Sequence, residues 1–175
     1  MAETAAAFNA PVLLTEAHDH AEFTSGELAL DDWLRQRAWS NMQIAASRTY
    51  VVCPVGSRRI AGYFALSMGQ ILALDVTGAM RRNMPRQIPA VVLGRLAVDR
   101  AWQGKGLAKA LLADVVRRSL LASREVSARL VIVHAISAAA ETFYLHHGFT
   151  RLPVETPTLA LDLVKLQKVG QAAGN

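Results

Sequence analysis

The sequence lacks several features that would place it in a specialised class of protein. Its 175 residues contain a single cysteine, Cys53, which excludes an internal disulfide, and the apolar residues before it predict a buried structural thiol. No apolar run approaches the roughly 18 residues that cross a bilayer, and Met1 to Ala10 lacks the charged and apolar regions of a secretory signal. We therefore expect a cytoplasmic protein with no membrane partner.

Internal repeats and low-complexity linkers are also absent, and acidic residues are in the minority. The chain is long enough for one well-buried core and too short for two ordinary domains, so we expect a single domain over residues 1–175. Lys and Arg outnumber Asp and Glu by 19 to 14, which gives a formal net charge of +5. This balance favours a polyanionic or acidic partner without identifying it.

Hydrophobic spacing in the first half of the chain predicts a strand, a helix and a hairpin. A short strand is expected over residues 11–15, and apolar residues at helical spacing predict one helix over 29–46. Two β-rich runs, 48–54 and 59–74, flank a turn and predict an antiparallel hairpin. Residues 75–88 are expected to form a basic connection.

The second half predicts a strand, helix, strand unit followed by a helix and two strands. Apolar strands over 90–98 and 130–135 enclose a helix over 104–121, an order that favours neighbouring parallel strands with a right-handed crossover. A shorter helix over 138–147 and strands over 149–152 and 158–164 follow. The pattern indicates an α+β fold with a mixed sheet.

The strongest chemical signal is a glycine-containing turn between a strand and a helix. The strand Leu93–Asp99 leads into Gln103–Ala108, QGKGLA, where unpaired backbone N–H groups and the positive end of the helix dipole converge. Such a turn favours phosphate binding, because Gly104 and Gly106 let a diphosphate approach the amides closely. An ordinary capped helix is the alternative interpretation. The spacing lacks the third glycine of a dinucleotide fingerprint and the Lys-Ser or Lys-Thr of a P-loop.

Two motifs resemble those of the GNAT acetyltransferases. QGKGLA resembles their Q/R-x-x-G-x-G/A motif, and Phe143–Phe149, FYLHHGF, resembles their FYxxxGF signature. The motifs occur in the order of the family and together cover Val91–Phe149. The resemblance implies the GNAT fold, an α+β fold with a mixed, mostly antiparallel sheet flanked by helices.

The same resemblance implies acetyl-coenzyme A as co-substrate, no metal, and a set of residues that hold the co-substrate. The main chain of Leu96, Ala97 and Val98 would contact the pantetheine arm and polarise the thioester carbonyl. Tyr144 would donate a proton to the departing thiolate, although a tyrosine merely packed on the sheet is the alternative. The other co-substrate residues implied are Gln103, Gly104, Lys105, Gly106, Leu107, Ala108 and Phe143. The chain departs from many relatives, which have asparagine, at Ser137.

Within the family, the chain is most similar to the GNAT toxins of type II toxin-antitoxin modules, of the TacT and AtaT kind. The similarity lies in Leu30–Leu34, Ser47–Val51, Gly62–Leu66 and Val133–Ala135. It implies acetylation of the α-amine of the amino acid on charged tRNA, which blocks translation, and neutralisation by a ribbon-helix-helix antitoxin. It also implies a homodimer by analogy, and DNA contact only through the antitoxin.

The pKa of the acceptor amine and the basic residues of the chain are both consistent with acetylation of charged tRNA. An α-amino group has a pKa of about 7.7 to 8.0 against about 10.4 for lysine, so it needs little help from a base. Candidates for contacts with tRNA phosphates are Arg35, Arg37, Arg48, Arg81, Arg82 and Arg86. Two alternatives stay open: a GNAT enzyme that acetylates a protein N-terminus or a small-molecule amine, and a non-catalytic partner in a DNA-bound repressor complex.

Overall fold

The computed structural model describes residues 7–174, in which a mixed sheet of seven strands is flanked by helices. The strands are β1 (Val12–Leu13), β2 (Arg48–Val52), β3 (Gly62–Leu72), β4 (Gln87–Val98), β5 (Leu130–His134), β6 (Thr150–Arg151) and β7 (Thr158–Asp162). The helices are α1 (Leu28–Gln36), α2 (Ala38–Gln43), α3 (Gly78–Arg81), α4 (Leu107–Glu125), α5 (Ala138–His146) and α6 (Leu163–Ala173). Short 3-10 turns cover Ala73–Asp75 and Arg100–Trp102.

The strand order is β1-β2-β3-β4-β5-β7-β6. Strands β4 and β5 pair in parallel, with Ala90 opposite Leu130, whereas β1–β2, β2–β3, β5–β7 and β6–β7 are antiparallel. The predicted hairpin and the predicted strand, helix, strand unit are both confirmed. The α+β class with a mixed sheet is confirmed with them.

The chain divides into two compact units. One contains the residues up to Ser67 together with Arg95–Val115, and the other contains Met68–Gly94 together with the residues from Val116 on. Strands β3 and β4 and helix α4 contribute residues to both units. The expectation of a single domain over 1–175 stays a prediction.

The core of the first unit packs α1 against the sheet. Tyr63 is fully buried, and its hydroxyl donates a hydrogen bond to the Leu30 carbonyl at 2.7 Å. Trp33 stacks on the Tyr63 ring with 6.0 Å between centroids. Cys53 is buried as predicted, and burial raises the pKa of its thiol. Aromatic stacking and burial therefore fix the position of α1.

The core of the second unit lies on one face of β4, β5 and β7. Ile88, Leu130 and Ala160 are fully buried in it. At its edge Arg129 donates two hydrogen bonds of 2.9 Å to the Asp162 carboxylate. Although burial opposes the charge, these bonds hold the pKa of Asp162 below its usual value.

Three predicted helix and strand boundaries are wrong for identifiable reasons. The helix over 29–46 divides at Arg37, whose backbone leaves the helical region while the hydrophobic spacing continues across the bend. The helix over 104–121 begins only at Leu107, because the preceding glycines have positive φ angles. The strand over 158–164 ends at Asp162, whose carboxylate accepts from the amides of Val164 and Lys165 and caps α6, a helix that was missed.

The basic connection is also more regular than predicted. Residues 75–88 contain α3 and the first two residues of β4.

None of the helices within residues 7–174 is both long and apolar enough to span a bilayer.

Candidate active site

The last residues of β4 are held by a buried carboxylate. Asp99, which is 1% exposed, accepts hydrogen bonds from the Thr24 amide at 3.1 Å and from the Ala101 amide at 2.9 Å. The Asp99 amide itself donates to the Ala61 carbonyl at 2.8 Å. These bonds fix where β4 stops and where the chain turns toward α4. Sequence reasoning missed Asp99, although an acidic residue directly after an apolar strand was a readable signal.

The QGKGLA turn, Gln103–Ala108, has the open backbone that anion binding requires. Gly104 and Gly106 have φ angles of +74° and +79°, in the region that residues with a side chain rarely adopt. Apart from the adjoining residues of the chain, no heavy atom within residues 7–174 lies within 4 Å of the place a Cβ would occupy at either glycine. Helix α4 begins at Leu107, within this segment, so its first N–H groups and the positive end of its dipole are directed to the glycines that precede it. The turn fits a diphosphate.

Two aromatic residues and an arginine pack beside the turn. Trp102 immediately precedes Gln103, and the Phe8 ring meets it edge to face with 6.3 Å between centroids. The Arg59 guanidinium lies 4.9 Å from the Trp102 ring. The exposed Lys105 is a cation within the turn itself.

The predicted pantetheine residues are mostly buried at the end of β4. Ala97 and Val98 are 5% and 7% exposed, and Leu96 is half-buried. The Val98 carbonyl accepts a hydrogen bond from Gln103 at 2.9 Å. Val98 and the QGKGLA turn therefore belong to one hydrogen-bonded assembly in the first unit.

Tyr144 lies in the second unit, on α5, and its phenol is shielded from water. It is 6% exposed and its ring packs between those of Phe143 and Phe149, at centroid distances of 5.2 and 5.3 Å. Burial raises the pKa of Tyr144 to about 12. The hydroxyl therefore keeps its proton throughout the physiological pH range and is able to donate it.

Both ends of α5 are capped by side chains. The Ser137 hydroxyl accepts from the Ala140 amide at 3.1 Å, which accounts for a serine at this position as an N-cap. At the other end the His147 ring lies 2.7 Å from the Phe143 carbonyl. Gly148, with φ of +92°, reverses the chain after the helix. These caps fix the rotation of α5 and with it the place of Tyr144.

The order of strands, the turn before α4 and the tyrosine on α5 correspond to one known domain. Residues 56–151 match the acetyltransferase (GNAT) domain family. This chain belongs to the GNAT acetyltransferases. The resemblance inferred from the two motifs is thereby confirmed.

Relatives of this GNAT protein include toxins of known structure. It is 40% identical over 165 residues to a tRNA-acetylating toxin of Mycobacterium tuberculosis (strain ATCC 25618 / H37Rv), covering 94% of this chain and 96% of the relative. It superimposes on AtaT complexed with acetyl-methionyl-tRNAfMet with a TM-score of 0.86 and 27% identity, over 93% of this chain and 99% of AtaT. A variant of AtaT bound to the C-terminus of the antitoxin AtaR and acetyl-CoA gives 0.78 and 28%, over 93% and 97%.

The six candidate RNA-binding arginines of this GNAT chain fall into two groups. Arg35 is partly occupied, since it donates to the Phe23 carbonyl at 2.7 Å and to Asp32 at 3.2 Å. The other five are exposed: Arg37 and Arg48 in the first unit, and Arg81, Arg82 and Arg86 in the second.

Within residues 7–174, no group of three or more His, Cys, Asp or Glu side chains is arranged to hold a metal ion.

Proposed function

We propose that this chain is the toxin of a type II toxin-antitoxin module, which transfers acetyl from acetyl-CoA to the α-amine of aminoacyl-tRNA and so inhibits translation. The observation that carries the proposal is the 40% identity, across nearly the whole chain, to a relative named as a tRNA-acetylating toxin. The cytoplasm, where charged tRNA occurs, is the proposed location.

The QGKGLA turn is proposed to bind the co-substrate. Its free amides and the helix dipole suit the diphosphate of acetyl-CoA, and the open space at Gly104 and Gly106 admits the phosphate oxygens. Lys105 and Leu107–Ala108 flank this position, and the main chain of Leu96–Val98 is proposed to hold the pantetheine arm. An N–H near Val98 then stabilises negative charge on the thioester oxygen.

The proposed reaction needs one proton donor and little base catalysis. The neutral α-amine of the aminoacyl group attacks the thioester carbonyl carbon, a C–N bond forms, and the C–S bond breaks. Tyr144 donates its phenolic proton to the departing sulfur, the new amide loses its extra proton to solvent, and the Tyr144 phenolate takes a proton back from solvent. Because Phe143 and Phe149 shield the phenol, Tyr144 keeps its proton at pH values of about 8, where the amine becomes free to react.

The proposed partners beyond tRNA are an antitoxin and a second copy of the chain. Since a variant of AtaT is bound to the C-terminus of AtaR, we propose that a ribbon-helix-helix antitoxin neutralises this protein and brings it to DNA. A homodimer is proposed by the same analogy. The exposed arginines Arg37, Arg48, Arg81, Arg82 and Arg86 are proposed to contact tRNA phosphates, with Arg35 in a supporting place.

The binding affinities for the two substrates are expected to depend differently on salt concentration. Binding of charged tRNA should weaken by about 10²-fold or more between about 50 and 200 mM salt if several arginines neutralise phosphates. Acetyl-CoA affinity should change far less, since it depends on backbone amides at the QGKGLA turn. Filter binding for tRNA and calorimetry for acetyl-CoA measure the two. A flat salt response for tRNA, or acetylation of a peptide N-terminus in place of charged tRNA, would contradict the proposal.

The pH profile is expected to follow the acceptor and not Tyr144. The rate should rise as the α-amine loses its proton, with a midpoint near its pKa of about 8, and should then stay level. A fall is not expected before about pH 10, because the pKa of Tyr144 is raised to about 12 and the phenol keeps its proton below that value. Initial rates on freshly charged tRNA test this expectation, and a descending limb below about pH 9.5 would remove Tyr144 as the proton donor.

A further inference from the structure

The side chain of Gln103 is engaged by the protein itself. Its Nε2 atom donates to the Ser25 carbonyl at 2.7 Å and to the Val98 carbonyl at 2.9 Å. A primary amide has two N–H donors, so both are used. Although Gln103 is exposed and directly precedes Gly104, it has no side-chain N–H left for a phosphate oxygen.

The two accepting carbonyls belong to segments that the sequence keeps far apart. Val98 ends β4, whereas Ser25 precedes α1. The amide and hydroxyl of Ser25 in turn donate to the Asp31 carboxylate at 2.9 and 2.6 Å, and Asp31 is a buried residue of α1. Gln103 is therefore one end of a hydrogen-bonded path that leads from the QGKGLA turn to α1.

A second set of bonds runs beside this path. The Thr24 amide donates to Asp99, and the Thr24 carbonyl accepts from the Arg100 amide at 2.8 Å. The segment Thr24–Ser25 is thus tied at both residues to the chain between β4 and α4. The bond from Gln103 to the Ser25 carbonyl ties the same segment, and it starts in the QGKGLA turn itself.

We propose that Gln103 is a positioning residue for the co-substrate: its amide fixes the QGKGLA turn relative to the end of β4 and to the segment before α1, and it is not itself a diphosphate ligand. A diphosphate bound at the turn and a thioester bound near Val98 are then held at a set separation. The inference rests on the proposed binding of acetyl-CoA at this turn.

The test replaces the two donors without changing the size of the side chain. In Gln103→Met both hydrogen bonds are lost, so the amides of Thr24 and Ser25 in the free protein should exchange with deuterium about three- to tenfold faster. The dissociation constant for acetyl-CoA, measured by calorimetry, should rise by about the same factor. Gln36→Met, at an exposed glutamine of α1, is the matched control and should change neither quantity.

The two readouts separate a positioning residue from a ligand. Weaker acetyl-CoA binding with unchanged exchange at Thr24 and Ser25 would mean that Gln103 contacts the diphosphate directly, and it would overturn the inference. No change in either quantity would overturn it as well. If Gln103→Met also speeds exchange throughout β5, Gln103→Glu takes its place, because it keeps the size of the side chain and replaces both donors with carboxylate oxygens. Unchanged exchange at Thr24 and Ser25 in that variant would overturn the inference.

The same measurements distinguish this inference from the proposed function. If the wild-type protein takes up no acetyl-CoA, the proposed enzyme activity fails. The change in exchange at Thr24 and Ser25 that Gln103→Met causes in the free protein still reports on the bonds of Gln103.

Discussion

Tyr144→Phe is expected to lower the rate of acetyl transfer to charged tRNA by about 10²- to 10⁴-fold, the range that a positioned general acid supplies. The ring of Tyr144 fills the space between Phe143 and Phe149, and phenylalanine preserves that packing while removing the proton. Acetyl-CoA affinity should therefore stay within about twofold of wild type. Single-turnover transfer and calorimetry measure the two effects separately.

A matched tyrosine shows whether the loss is specific. Tyr50→Phe changes the same atom on β2, where Tyr50 stacks on Phe64 at 5.1 Å, and should leave the rate unchanged. Unaltered transfer in Tyr144→Phe would assign Tyr144 a packing role only. A loss of both affinity and unfolding temperature would instead point to damage to α5.

Gly106→Ala is expected to have the second largest effect, on co-substrate affinity. A Cβ at a φ of +79° costs about 1 to 2 kcal/mol in the left-handed region. The turn relieves that cost by rotating the amides proposed to bind the diphosphate. The dissociation constant for acetyl-CoA should rise about tenfold or more, because both the amide directions and the open space in front of them change.

The chain provides a control with the same backbone angle. Gly56 also has a φ of +79°, and no heavy atom of the described residues beyond its chain neighbours lies within 4 Å of its Cβ position, but it belongs to the turn between β2 and β3. Gly56→Ala should lower the free energy of unfolding by a similar amount and leave acetyl-CoA affinity unchanged. Equal affinities in the two variants would argue that the QGKGLA turn does not hold the diphosphate.

The sequence predicts best where one pattern has one structural meaning. The apolar runs of β4 and β5 enclose a long amphipathic segment, and this order leaves little choice besides a parallel pair with a helical crossover. Gly104 and Gly106 indicated an unusual turn, and both have positive φ angles. The family was recognisable because two short motifs on different elements agreed.

The boundaries of helices and the hydrogen-bond partners of side chains were harder to predict from the sequence. Hydrophobic spacing does not change at Arg37, so the break between α1 and α2 gives no periodic signal. The start of α6 depends on the hydrogen bonds that Asp162 accepts from the next residues. The apolar composition of residues 158–164 predicts a strand there and gives no sign of that helix start. The bond from Gln103 to Ser25 spans 78 positions, and no local pattern predicts a contact between residues that far apart. The motif identified Gln103 but not its partners.

The contact between Phe8 and Trp102 has a practical consequence for handling the protein. Phe8 packs against the residue that leads into the QGKGLA turn, whereas the final turn of α6 is exposed. An affinity tag or fluorescent label attached close to Phe8 would therefore disturb the neighbourhood of the proposed diphosphate. Attachment after α6 keeps the label on a solvent-facing helix end, and it is the better choice for titrations with acetyl-CoA.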